Sequence, residues 1–264
     1  MGRRTASVGL VRGNAESQLD PDGFYLPSEY IENEVISVDD EDSTFWETEP
    51  TAMDLAYQEP VYRWAAKLIK ADRLTPVVDV GCGTAFKMMK HLAPVTDTVV
   101  GADQASGIER ARGRYTGATF VEGDLTDDAL WEQLRALRPG FVLCADVVEH
   151  VADPRALVEN LASLVRGSHA RLLISTPDRS LMEKSPPLGP PTNALHVREW
   201  IPDEFRRLLE SAGLRVVTER HLLPRSYLRT TDEFMRMQRR FRQRRPVPDP
   251  KSCMAFLVVA ADPT

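Results

Sequence analysis

Apolar positions along this chain follow two alternating rhythms. Short, nearly unbroken apolar runs mark strands buried on both faces. Between them, apolar residues return every third or fourth position, the mark of amphipathic helices. Strands are expected at Val77–Val80, Thr98–Ala102, Ala118–Val121, Phe141–Cys144, Ala170–Ser175, Leu214–Thr218 and Cys253–Ala260. The first helix is expected within Met53–Ile69, where Leu55, Val61, Trp64, Ala65 and Leu68 recur at helical spacing. Further helices are expected at Ala85–Leu92, Gly107–Arg114, Asp128–Leu137, Pro154–Leu164 and Asp203–Ala212. Strands separated by helices of this length imply parallel β-α-β units, and hence a doubly wound, mostly parallel seven-stranded sheet of the α/β class.

Two features interrupt this regularity. Residues 1–52 form an expected N-terminal arm. It is weakly periodic and acidic at Asp39–Asp42, yet it carries Phe24, Tyr25, Tyr30, Phe45 and Trp46, too many aromatics for a tail that packs on nothing. The remainder, 53–264, is expected to be one α/β domain with insertions at 176–200 and 221–251. The first is proline-rich, and the second has six arginines between Arg236 and Arg245. That basic stretch is read as a solvated helix face balanced by the acidic arm, or as a contact for an acidic group on a ligand.

Composition narrows the class. The chain has 264 residues, 42% hydrophobic and 27% charged, with a net charge of -6. That is a globular balance with no overall basic character for nucleic acid or an anionic membrane. Cys82, Cys144 and Cys253 are scattered and form no C-x-x-C pair, so reduced core thiols in a cytoplasmic protein are expected. The basic start is followed by no apolar signal core, and no window is long enough to span a bilayer.

The chemistry lies where each strand ends, because doubly wound sheets bind ligands at the carboxyl ends of their strands. Asp79-Val80-Gly81-Cys82-Gly83-Thr84 follows the first strand. Its glycines allow a tight turn and close backbone approach, or a plain turn and nothing more. A dinucleotide fingerprint would need a third glycine where Phe86 stands. Asp79 beside the turn suits a cationic ammonium or sulfonium group better than a pyrophosphate. Asp103 closes the second strand, placed either to accept from ribose hydroxyls or to cap the next helix. Asp124 follows the third strand with the same two readings. Three acids at adjacent strand ends favour a ligand.

Those segments carry a resemblance. VVDVGCGTA, VVGADQA, FVEGDLTD and FVLCADVVEHVADP resemble, in order, the first four motifs of class I S-adenosylmethionine-dependent methyltransferases. LLISTPD and HVREWIPDEFRRLLESAGLRV resemble later elements of the ubiquinone-biosynthesis-like, small-molecule branch. The resemblance runs from about Tyr57 to Val217. It implies a Rossmann-like α/β fold, with the N-terminal helical arm and the two insertions shaping the acceptor pocket. It also implies S-adenosyl-L-methionine as cofactor. Gly81, Cys82 and Gly83 would approach its methionine portion, and Asp79 its ammonium. Asp103 would take the ribose hydroxyls, Gln104 would lie beside the adenosine, and Asp124 and Leu125 would read the adenine. Ala145 would offer its carbonyl near the sulfonium.

A hydroxyl acceptor also has to lose a proton. His150, just past the fourth strand, and His196, after the proline-rich stretch, are the candidate catalytic bases. His150 has an alternative role in shaping the pocket. No metal ligands are expected: Asp146 and Asp178 follow strand ends, but Arg179 is a poor neighbour for a cation. The expected function is methyl transfer to a small molecule of bacterial specialised metabolism, such as antibiotic biosynthesis, to oxygen before nitrogen. An anionic or sugar-bearing acceptor would suit the basic stretch. An RNA or nucleotide methyltransferase, and a non-catalytic cofactor-binding protein, are the alternatives. Neither a membrane nor nucleic acid is an expected partner, and the oligomeric state is left open.

Overall fold

The computed structural model describes residues 25–34, 58–181, 188–222 and 256–263. The acidic run Asp39–Asp42 and the basic stretch Arg236–Arg245 lie outside the described residues.

Helix α1 (Glu59–Asp72) carries Pro60, which has no N–H to leave unpaired, in its first turn and ends on Arg73 in the left-handed region. It buries Val61, Tyr62, Trp64, Ala65 and Ile69. Strand β1 (Val77–Val80) leads to α2 (Phe86–His91), and β2 (Val99–Asp103) to α3 (Ala105–Arg114). Then come β3 (Thr119–Glu122), α4 (Asp128–Ala136), β4 (Phe141–Ala145), α5 (Pro154–Ser168) and β5 (Arg171–Pro177). Helix α6 (Pro202–Ser211), β6 (Leu214–Leu222) and β7 (Phe256–Pro263) complete the order. The caps are legible in the sequence: Asp127 accepts from the Ala129 N–H, and Asp153 from the Ala156 N–H ahead of Pro154.

The seven strands form one sheet in the order β3-β2-β1-β4-β5-β7-β6. β1 to β5 pair in parallel; β7 is antiparallel to both β5 and β6. The period-2 alternation of each strand divides the core between the two faces. Val78, Val80, Val142 and Cys144 pack with residues of α4, α5 and α6. Val77, Phe141, Leu143 and Ala145 pack with residues of α1, α2 and α3. Trp131 and Trp200 are wholly enclosed on the first side, Tyr62, Ile69 and Met88 on the second. Burying one such large side chain contributes about 1.5–3 kcal/mol.

Several boundaries differ from the expected ones. β5 runs to Pro177 and β6 to Leu222, so the segments expected as insertions at 176–200 and 221–251 begin inside strands. Both extensions pair with Phe256 of β7. A partner arriving from the far end of the chain prolongs them, which no local pattern reveals. In the arm, residues 25–34 contain turns and extended backbone and no helix. Leu26 is buried in the core beside Tyr25 and Tyr30, which accounts for the aromatics in an otherwise polar segment.

Among the described residues no helix is long and apolar enough to cross a membrane.

Candidate active site

The strand order reverses between β1 and β4, and the residues that follow these two strands meet there. After β1 the chain turns through Gly81 (φ 77°) and Gly83 (φ 56°), both in the left-handed region. A Cβ on Gly81 would collide with Val147 Cγ2, in the segment after β4. The glycine is required by conformation and by space together. Gly83 N–H donates to Asp103 Oδ2 at 2.6 Å, and the Gln104 N–H donates to Asp103 Oδ1 at 2.8 Å. The carboxylate at the end of β2 therefore holds the glycine turn in place while facing the same cleft.

Asp79 is fully buried on β1. Tyr62, one turn into α1, donates its hydroxyl to Asp79 Oδ2 at 3.0 Å, while Oδ1 has no partner among the described residues. Burial pushes the carboxyl up to about 8, against the Tyr62 hydrogen bond. At the same end, Gln58 donates to the Ala145 carbonyl at 3.4 Å and accepts from Lys87 at 2.7 Å. Asp124, beyond β3, is exposed and bent into a turn by Thr126, whose backbone and hydroxyl both donate to Oδ1. Those two bonds lower its pKa, and Gln104 adds a third. Leu125 lies against the core and its carbonyl takes the Trp131 indole N–H at 2.9 Å.

After β4 the backbone reverses at Asp146 (φ 54°), which accepts from the Ser175 hydroxyl. A single helical turn over Val148–His150 follows. It places Glu149 and His150 against the segment bearing His196. His150 directs Nδ1 to the Leu195 carbonyl at 2.7 Å. His196 directs Nδ1 to Glu199 Oε1 at 2.7 Å, and its Nε2 lies 2.9 Å from Asn193 Nδ2. These contacts assign a proton to Nδ1 of each ring. Glu149 is wholly buried; Oε2 accepts from Thr176, and Oε1 has no partner among the described residues.

The two candidate bases are thus neighbours rather than alternatives. The burial that brings them together also drops His150 to about 4, with the adjacent His196 adding to the effect. A base that weak is poorly matched to work near neutrality. One nitrogen or oxygen from each of Glu149, His150 and His196 falls within 4.8 Å of the others. Two imidazoles and a carboxylate are a donor set suited to a first-row divalent cation, with both rings anchored through Nδ1; the Asn193 amide, which donates to His196 Nε2, would have to give way to such an ion. Desolvation, and then the neighbouring Asp146, raise the Glu149 carboxyl well above its ordinary range, as expected of a buried acid lacking a counter-charge. Asp178, by contrast, is spent on the backbone and hydroxyl of Ser180.

Reasoning from the sequence missed Tyr62, Gln58, Lys87 and the use of Glu149. Glu149 had a signal in its adjacency to His150. Tyr62 and Lys87 sit on helices whose apolar pattern says only which face is buried, and Gln58 stands just before the first of them.

A family model described as a methyltransferase domain matches residues 52–219. The ubiquinone biosynthesis O-methyltransferase of Dinoroseobacter shibae is 30% identical over 165 residues, covering 56% of this chain and 62% of that protein. Its namesake in Vibrio vulnificus is 31% identical over 157 residues, covering 56% and 64%. The chain thus matches less than two thirds of the length of these relatives. Among solved structures, the magnesium protoporphyrin IX methyltransferase of Synechocystis, with SAH bound, aligns at a TM-score of 0.50 and 19% identity, over 80% of this chain and 85% of that one. At that identity the likeness is one of fold.

Proposed function

This chain belongs to the class I S-adenosylmethionine-dependent methyltransferases, in the ubiquinone-biosynthesis-like branch, and from that premise we propose that it methylates a hydroxyl group of a small molecule with the help of a divalent cation. The observation that carries the reading is the group of buried Glu149 and His196 with half-buried His150 beside the β1–β4 switch point. The O-methyltransferase names of the relatives support oxygen as the atom methylated.

The cleft fits the cofactor. The Gly81–Gly83 turn keeps side chains out of the way, and the unpartnered Oδ1 of Asp79 suits the ammonium of the methionine portion. Asp103, at the end of β2, stands where the ribose hydroxyls would lie. Asp124, Leu125 and Gln104 line the adenine side, and the Ala145 carbonyl and Cys82 close the methionine side. The bound cofactor supplies a methyl group that is already electrophilic on its sulfonium. Glu149, His150 and His196 would hold the cation, which would supply positive charge to lower the pKa of an acceptor hydroxyl. The protein's own share is positioning, which in well-oriented systems is worth about 7–11 kcal/mol of a barrier. Val147, pressed against Gly81, fixes the spacing between the two halves of the site.

The test is transfer of labelled methyl from S-adenosylmethionine to a panel of phenols, catechols and sugar alcohols. It is run with the protein stripped by chelator and then reloaded with Mn²⁺ or Zn²⁺. Turnover restored by the ion and confined to hydroxyl acceptors supports the proposal. Equal turnover of the stripped protein would remove the cation from it.

A further inference from the structure

The segment carrying His196 is not held by the sheet. Its backbone reaches the fold through the Val197 N–H, which donates to the Glu149 carbonyl at 2.7 Å, and through Asp178, bridged to Trp200. Arg179 donates to the Glu199 carbonyl and Arg198 to that of Ala152, and a second set of contacts comes from the N-terminal arm, more than 150 residues away in sequence. Tyr30 accepts the Glu199 N–H through its hydroxyl at 3.1 Å and lies under the Arg179 guanidinium, 4.4 Å from ring centroid to Cζ. Glu32 pairs with the buried Arg198 at 2.6 Å. The Asn33 N–H donates to the Val197 carbonyl at 3.0 Å.

The Asn33 side chain makes the most concentrated contact. Its amide nitrogen faces three carbonyls at once: Pro191 at 3.0 Å, Asn193 at 3.1 Å and His196 at 2.9 Å. An amide has two hydrogens, so one is shared between acceptors. Three oxygens around one atom also settle which end of the amide points there. These carbonyls bracket the turn in which Asn193 contacts His196 Nε2 and Leu195 takes the His150 proton. One arm residue therefore sets the curvature of the turn that carries His196 and offers the Leu195 carbonyl to His150.

We infer that Asn33 is a positioning residue of the catalytic centre: by gathering the carbonyls of Pro191, Asn193 and His196 it fixes the orientation of His196, and through Leu195 that of His150. The arm is thereby part of the active site. Its role in cation binding rests on the reading in the preceding subsection; its role in orienting His196 does not. Replacing Asn33 by Ala removes the side-chain clamp and leaves the backbone bond to Val197 intact. Replacing it by Asp sets a carboxylate against three carbonyl oxygens, nearly isosteric but repulsive, and the effect is larger than with Ala.

The experiment uses the full chain labelled with ¹⁵N-histidine, the His196 signals being assigned by their loss in His196→Gln. In the metal-free wild type, His196 gives the signature of one fixed tautomer protonated at Nδ1. In Asn33→Ala, and more so in Asn33→Asp, the signals move toward the exchange-averaged values of a free imidazole. Mn²⁺ titration of the same proteins, corrected for the folded fraction, weakens about tenfold or more, the scale on which supporting contacts to metal ligands act. A purely structural role would lower the melting temperature but leave the His196 signals and the affinity per folded molecule unchanged, and that result overturns the inference. If wild type binds no Mn²⁺, the cation reading fails. The positioning role then stands or falls on the ¹⁵N signals alone.

Discussion

The imidazoles of His150 and His196 meet edge to face, with centroids 4.8 Å apart and planes inclined by 81°. Each turns Nδ1 to an oxygen acceptor, one to the Leu195 carbonyl and the other to Glu199. Two rings held in this way beside a buried carboxylate behave as one centre, which makes their contributions non-additive.

His150→Ala and His196→Ala should therefore each lower kcat/KM by about 10–100-fold, and the double variant should be no worse than the weaker single variant. Steady-state kinetics on metal-loaded protein, with metal content measured alongside, checks this. Losses that multiply in the double variant would mean two independent roles.

Asp79 should release a proton when the cofactor binds. Its carboxyl sits at about 8 in the folded protein, against an ordinary 3.8. Between those values the folded state holds a proton that the unfolded state lacks. The free protein accordingly loses stability as pH rises through that window, by at most about 1.4 kcal/mol per unit. An ammonium beside Asp79 favours the ionised form, so cofactor affinity from this group should climb toward pH 8. Calorimetry at pH 7 in buffers of different ionisation enthalpy should report release of nearly one proton by wild type. Asp79→Asn should show markedly less.

Asp103→Ala should weaken the cofactor by about 1.5–3 kcal/mol, or roughly tenfold to a hundredfold in Kd. The variant loses the acceptor for the ribose and also the tether to the Gly83 N–H. Titration calorimetry measures it directly; an unchanged Kd would remove Asp103 from the cofactor site.

Gly81→Ala should destabilise the protein by about 1–3 kcal/mol and impair cofactor binding, since the new methyl meets Val147 at a residue with φ 77°. Adding Val147→Ala should recover the steric part and leave the backbone part. Paired thermal melts distinguish the two, and no recovery would show that backbone strain alone carries the cost.

The local rules of the chain were enough for most of the elements and for where Asp79, Gly81, Gly83 and Asp103 stand in the sheet. The buried strands from β1 to β5 announce themselves as apolar runs, and Asp79, Gly81, Gly83 and Asp103 stand at or beside strand ends. In a parallel sheet that position already means the ligand side, because every crossover returns the chain to the same edge. Spacing along the sequence therefore translates into place.

The group of Glu149, His150 and His196 had no such rule. His150 and His196 were each visible as a histidine with chemistry to offer, but their meeting depends on a turn after β4, a segment without regular structure, and the arm residue Asn33. Contacts of that kind are made between backbone carbonyls and side chains far apart in sequence, and they leave no periodic trace. The antiparallel insertion of β7 between β5 and β6 is hidden for the same reason. Apolar alternation records which face of a strand is buried, while its direction and its neighbours are decided only when the whole sheet assembles.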